Sequence, residues 1–203
     1  MKTSPNRYKK QLAVFKEHQG FLRTSQALKL GIHPEDLYAM KAAGLIELIS
    51  RGLYRQTSAS PPTQPDLATV ALKIPRGVIC LISALAFHEI GTEIPHEVHV
   101  ALKFPSRKPK LSYPPTRFVW LSPASFEAGI ETHRIDGIPL RVYSPEKTVA
   151  DCFKFRNKFG LDVALEALKF CRSHKRSSVR ELMKYAKIDR VERVMKPYLE
   201  AIL

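Results

Sequence analysis

An α+β fold in two parts is predicted by three features of the sequence. Helical periodicity fills residues 6–43 and gives way at once to two β-rich segments. A stretch dense in proline follows at 57–66, and beyond it strand-like runs precede a long helical tail.

The N-terminal elements can be justified in order. In residues 6–18, NRYKKQLAVFKEH, Tyr8, Leu12 and Phe15 recur at helical spacing with Lys9, Lys10 and Lys16 on the other side, so an amphipathic helix is expected. Gly20 ends it, and Phe21 and Leu22 bridge to SQALKLG. This is a short second helix that Thr24 or Ser25 can cap and that Gly31 closes in the left-handed position glycine favours. A third helix opens at His33-Pro34, with Pro34 at its first position, Glu35 and Asp36 in its first turn, and Leu37 and Met40 facing inward; Gly44 stops it. LIELI and LYRQ then read as strands joined by Ser50-Arg51-Gly52, where Gly52 supplies the positive φ of a tight turn.

Three short helices followed by a two-stranded ribbon make a winged helix-turn-helix over residues 1–56. The second and third helices form the pair, the third is suited to a DNA major groove, and the ribbon is the wing. His33, Tyr38 and Lys41 fall on the outward face of the third helix and are candidates for base or backbone contact. Arg51 and Arg55 on the wing suit phosphates or the minor groove, and Arg23, Thr24 and Ser25 at the start of the second helix suit phosphates. Glu35 and Asp36 either stabilise the helix start through its dipole or supply an acceptor for a cytosine amino group. Small winged helices also mediate protein contacts, but the charge favours DNA: ten Lys/Arg in residues 1–56 against four acids leave +6 on the module.

The whole chain has the same bias. Its 203 residues carry 33 Lys+Arg against 19 Asp+Glu, a formal +14, which suits a polyanionic partner. No run approaches 18 apolar residues, and the opening MKTSPNRYKKQ lacks the apolar core of a secretory signal, so a cytoplasmic, membrane-free protein is expected. Cys80, Cys152 and Cys171 are odd in number, far apart and set among apolar neighbours, which predicts reduced core thiols.

Residues 57–66, TSASPPTQPD, hold three prolines and four Ser/Thr and read as a semi-rigid linker. In the second domain, 67–203, residues 67–74 and 78–90 read as helices or buried segments, with Ser83 able to cap ALAFHEIG. EVHVAL, RFVWLS and PLRVYS read as strands, with a turn at Asp136-Gly137. Ser144 then caps and Pro145 starts a helix through PEKTVADCFKFRNKF, Gly160 breaks it, LDVALEALKFCRS forms another, and two more cover 178–186 and 190–202.

Few enzyme signatures are present, and neither a cofactor nor a metal is expected. His96-Glu97-Val98-His99 has one residue too few for a zinc-protease helix and lies in a strand-like context. Phosphate-binding glycine loops and a G-x-S-x-G elbow do not occur, and Ser83, His88 and Glu89 on one helix cannot assemble a triad. Asp136, Glu146 and Asp151 near Lys147 lack the acid-x-Lys strand of a metal-dependent nuclease. Two basic clusters stand out instead. Between Glu97 and Glu127 there is no acid, while Lys103, Arg107, Lys108, Lys110 and Arg117 are interleaved with Phe104, Tyr113, Phe118 and Trp120. That pattern suits RNA or a second DNA contact, or else a solvated loop with core aromatics. A second cluster, 172–180, sits at a helix end where its cations meet the negative pole of the dipole.

Taken together, GLIELISRGLYR, ISALAFHEIGTEIP, EVHVAL and GIPLRVYSPEKTVADCFKF, in that order, resemble the AbiEi-type antitoxins of bacterial abortive-infection systems. The resemblance implies an antitoxin of a type IV toxin-antitoxin system used in phage defence. Such a protein represses its own operon by binding inverted repeats, and it counteracts a nucleotidyltransferase toxin that it engages functionally or transiently. It carries the winged-helix role to residues 33–43 and to Arg51, Tyr54 and Arg55, and it puts Arg141, Lys147, Asp151 and Lys154 in or beside the matching SPEKTVAD segment. The expected antitoxin surface is Lys103, Arg107, Lys108, Lys110, Arg141, Lys147 and Lys154, with RNA as a further candidate partner. The alternatives are a nucleic-acid-processing enzyme or restriction-like subunit that docks through the winged helix, and a plain repressor with a small-molecule pocket.

Overall fold

The computed structural model describes residues 5–173 and 177–202. It is α+β, and its contacts divide it into two units: Met1–Lys73 with Arg134–Pro139, and Ile74–His133 with Leu140–Leu203.

In the first unit, a 3-10 turn leads into α1 (Lys9–Glu17), followed by β1 (Phe21–Arg23), α2 (Thr24–Lys29), α3 (Pro34–Ala42), β2 (Ile46–Ser50), β3 (Leu53–Gln56) and α4 (Pro65–Lys73). Tyr8, Phe15, Leu22, Ala27, Ile32, Leu37, Met40, Ile46 and Tyr54 form one buried cluster, which each of the first three helices enters along its apolar face. Gly52, at φ +71°, turns β2 into β3.

Two local expectations are corrected here. Phe21 and Leu22 are not a bridge: they form β1, which pairs antiparallel with β3 (Leu22 opposite Tyr54) and makes a three-stranded sheet in the order β1-β3-β2. Two buried apolar residues between helices gain their backbone hydrogen bonds by adding to the free edge of the hairpin. Neither Thr24 nor Ser25 caps α2. Arg23 holds the extended cap position, and its backbone N–H donates to Gln26 Oε1 at 3.1 Å, so a residue inside the first turn reaches back to satisfy the end.

The second unit contains β4 (Val78–Ile79), α5 (Leu81–Phe87), β5 (Val98–Lys103), β6 (Thr116–Leu121), α6 (Pro123–Glu127), β7 (Ile130–Ile135), β8 (Ile138–Tyr143), α7 (Pro145–Lys154), α8 (Arg156–Phe159), α9 (Leu161–Ser173), α10 (Val179–Ile188) and α11 (Glu192–Glu200). Its sheet runs β6-β5-β4-β8-β7. β5 and β6 are parallel, and β4 is antiparallel to β5 and parallel to β8. Asp136 and Gly137, both at positive φ, make the tight turn between β7 and β8, and this turn with the strand ends beside it, Arg134–Pro139, is counted with the first unit. Val78, Ala101, Val119, Leu121 and Tyr143 from the sheet side pack with Leu85, Val149, Phe153, Leu168, Leu182 and Met195 from the helices.

Further corrections concern this unit. Ser83 lies inside α5, where its hydroxyl accepts from the His99 N–H at 2.9 Å, and Cys80 takes the cap position. The helix expected from Pro145 to Phe159 is split at Phe155. β7 was not foreseen because IETHRI is mostly polar, as suits a strand at the sheet's edge. Ser144 does cap α7, its hydroxyl accepting from the Lys147 N–H. Cys80, Cys152 and Cys171 are all buried, and among the described residues none is in a disulfide. No described helix is long and apolar enough to cross a membrane.

Candidate nucleic-acid interface

The site is built by α2, α3 and the β2-β3 hairpin. Burial of Leu37 and Met40 fixes the rotation of α3 and turns Tyr38, 66% exposed, and Lys41 outward; exposed His33 stands at the helix's N-terminal cap. Asp36 is held by Gln11, whose Nε2 donates to its Oδ2 at 3.5 Å. Thr24, Tyr38, Leu48, Arg51 and Tyr54 line a notch of about 430 Å³ between α3 and the wing.

The predicted residues fare differently. Arg51 is exposed at the wing turn, and Lys73, outside the predicted module, donates from its ammonium to the Arg51 carbonyl oxygen. Burial, then the charges of Arg23 and Arg51, hold the Lys73 pKa below its ordinary value, so three cations share this part of the unit. Arg55 is engaged by Glu47 in a half-buried ion pair across the hairpin. Tyr54 is 7% exposed and belongs to the core as well as the notch; burial raises its hydroxyl pKa. Thr24 and Arg23 are half-buried, and Ser25 is exposed.

On the second unit, Arg107, Lys108 and Lys110 are exposed on the segment after β5, while Lys103 pairs with Glu127. Arg141 donates to the Arg76 carbonyl oxygen at 2.8 Å and lies over the Phe126 ring. Lys147 corrects the expected surface: it is fully buried, its ammonium 2.6 Å from Asp151 Oδ1, 3.0 Å from Asp189 Oδ2 and over the Tyr143 ring. Lys154, partly exposed, reaches Asp189 at 3.5 Å, and Ser125 donates to the same carboxylate. Of the three acids weighed in the sequence, only Asp151 meets Lys147; Asp136 accepts from Thr63 instead, and Asp189 was missed because it lies 42 residues away with no local signal. The expected cluster at 172–180 includes 174–176, which lie outside the described residues.

Burial, reinforced by Asp189, raises the Asp151 pKa to about 7 against the pull of Lys147, and Asp151 Oδ2 finds no partner among the described residues. A raised carboxyl favours the fold at low pH: its contribution is present below the unfolded value near 4 and is lost as pH rises through about 7. His88 and His99, both lowered chiefly by burial, act in the opposite sense below about 6.5. Comparison with Asp151→Asn isolates the carboxyl. From pH 5 to pH 8 the variant should gain urea resistance relative to the wild type, and a constant difference would show that Asp151 does not titrate there.

Three helices and a three-stranded sheet ending in a hairpin with Arg51 exposed at its turn define the winged helix-turn-helix class. Residues 9–56 match a family model described as "Transcriptional regulator, AbiEi antitoxin", so the resemblance seen in the sequence holds for this module. In fold, the whole chain is similar to the RV2827C protein from Mycobacterium tuberculosis, with a TM-score of 0.58 and 11% identity, over 98% of this chain and 83% of that one. No curated protein matches the chain significantly.

Proposed function

We propose that the chain is a DNA-binding transcriptional autorepressor and antitoxin. Residues 1–56 read operator DNA, 57–66 link, and the basic α/β domain of 67–203 counteracts a nucleotidyltransferase toxin in the cytoplasm. The observation that carries the reading is α3, whose buried Leu37 and Met40 commit His33, Tyr38 and Lys41 to the solvent face beside Arg51, on a segment that matches regulators described as antitoxins. The protein acts by binding: Arg51, Lys41, Lys73 and Arg23 supply phosphate-directed charge, and Tyr38 reaches base edges. Inverted repeats suit two copies side by side.

A reporter driven by the region upstream of the chain's own coding sequence tests the first half. Expression of the chain should lower its output, and Tyr38→Ala with Lys41→Ala should restore it. Unaltered output with the wild-type chain would remove autorepression. Rescue of cells expressing the neighbouring toxin tests the second half, and continued growth arrest despite abundant antitoxin would remove it.

A further inference from the structure

We propose that the β6 edge of the second unit, with the segment that follows β5, is a binding site for unpaired nucleotides of RNA. The pleat of β6 sends Val119 and Leu121 into the core and leaves Phe118 and Trp120 together on the opposite face. Trp120 is 39% exposed and Phe104 61% exposed, and both line a recess of about 550 Å³ that also takes in Pro105, Ser106 and Arg107. The Trp120 indole N–H donates to the Ser106 carbonyl oxygen at 2.9 Å, which holds the ring in place at the recess. Two large aromatic surfaces and a guanidinium lining one recess provide planes on which flat rings stack.

Charge identifies the occupant. Residues 98–126 contain no acid, and the carboxylates that do reach this segment, Glu127 and Glu97, are taken by Lys103 and Arg117. Among the described residues no carboxylate pairs with Arg107, Lys108 or Lys110, and Lys108 lies 5.8 Å over the Phe118 ring. Stacking planes flanked by uncompensated cations match bases flanked by phosphates. A duplex keeps its base faces stacked inside, so the bases must be unpaired, and loops and ends of RNA are where cells present them. An acidic peptide would satisfy the cations but bring no flat ring to Phe104 and Trp120.

Trp120 is the chain's single tryptophan, so its emission reports on this recess alone. The full chain is titrated with a short single-stranded oligoadenylate RNA, the equivalent deoxy strand, duplex DNA and polyglutamate. RNA should quench Trp120 saturably and bind at least as tightly as the deoxy strand, while duplex DNA leaves the emission unmoved. Phe104→Ala should weaken RNA binding about tenfold with an unchanged circular dichroism spectrum, Arg107→Ala should also reduce its salt dependence, and Lys41→Ala with Arg51→Ala should leave it unaltered. RNA binding with no change in Trp120 emission, wild-type affinity in Phe104→Ala, loss of RNA binding in the Lys41/Arg51 variant, or tighter binding of polyglutamate or the deoxy strand would each overturn the assignment.

Discussion

Replacing Lys147 with methionine should destabilise the second unit by about 3–5 kcal/mol, the cost of leaving buried carboxylates without their cation. Methionine keeps the length and apolar stem of the side chain, so the loss is electrostatic rather than a cavity. The ammonium is wholly buried between Asp151 and Asp189, which come from α7 and the end of α10, and it joins these two elements across the core. The two aspartates hold the Lys147 pKa above its ordinary value although burial alone would lower it. Neutralising all three groups together, with Lys147→Met, Asp151→Asn and Asp189→Asn, should recover much of the loss, because a buried ion pair contributes little net stability over neutral groups of the same shape. Urea unfolding at pH 8, where Asp151 is ionised, followed by Trp120 fluorescence reads the unit directly. A Lys147→Met variant within about 1 kcal/mol of the wild type would mean that the ammonium is not a charged partner of both acids.

Removing charge from the other unit should act on binding instead. Lys41→Ala with Arg51→Ala should reduce the slope of log affinity against log salt on duplex DNA by about two, with weaker binding at every salt concentration. Both side chains are exposed, and neither has a carboxylate partner among the described residues. Arg55→Ala should leave the slope nearly unchanged, because Glu47 already neutralises that guanidinium; its effect should fall on the hairpin. Tyr38→Ala should lower the preference for operator over random DNA rather than the salt slope, and equal losses on both DNAs would remove Tyr38 from base readout. An unaltered slope in the Lys41/Arg51 variant would take these two cations out of the interface.

The sequence made the first unit readable because its signals are local. Pro34 after His33, glycines at 31, 44 and 52, and apolar spacing at Leu37 and Met40 each specify one turn or one face. What it withheld depends on pairing between distant segments. β1 is a strand only because β3 offers an edge, and Arg55 is neutralised only because the hairpin register puts it opposite Glu47. Lys73 approaches Arg51 from a helix beyond the proline-rich stretch, out of reach of local periodicity. Lys147 illustrates the limit most clearly. The family resemblance put it, within SPEKTVAD, on the expected antitoxin surface, yet Asp189 on a distant helix end compensates its charge and allows it to be buried. The aromatic and basic residues of 104–120 were evident as composition, whereas the recess shared by Phe104 and Trp120 required the fold.

DNA reading by α3 and the wing is measured by fluorescence anisotropy of the full chain on a duplex from its own upstream region, against a scrambled duplex, across a salt series. Selective binding to the upstream duplex is expected, with a steep salt slope that the Lys41/Arg51 variant flattens. Equal, weak binding to both duplexes, indifferent to Lys41 and Arg51, would contradict it.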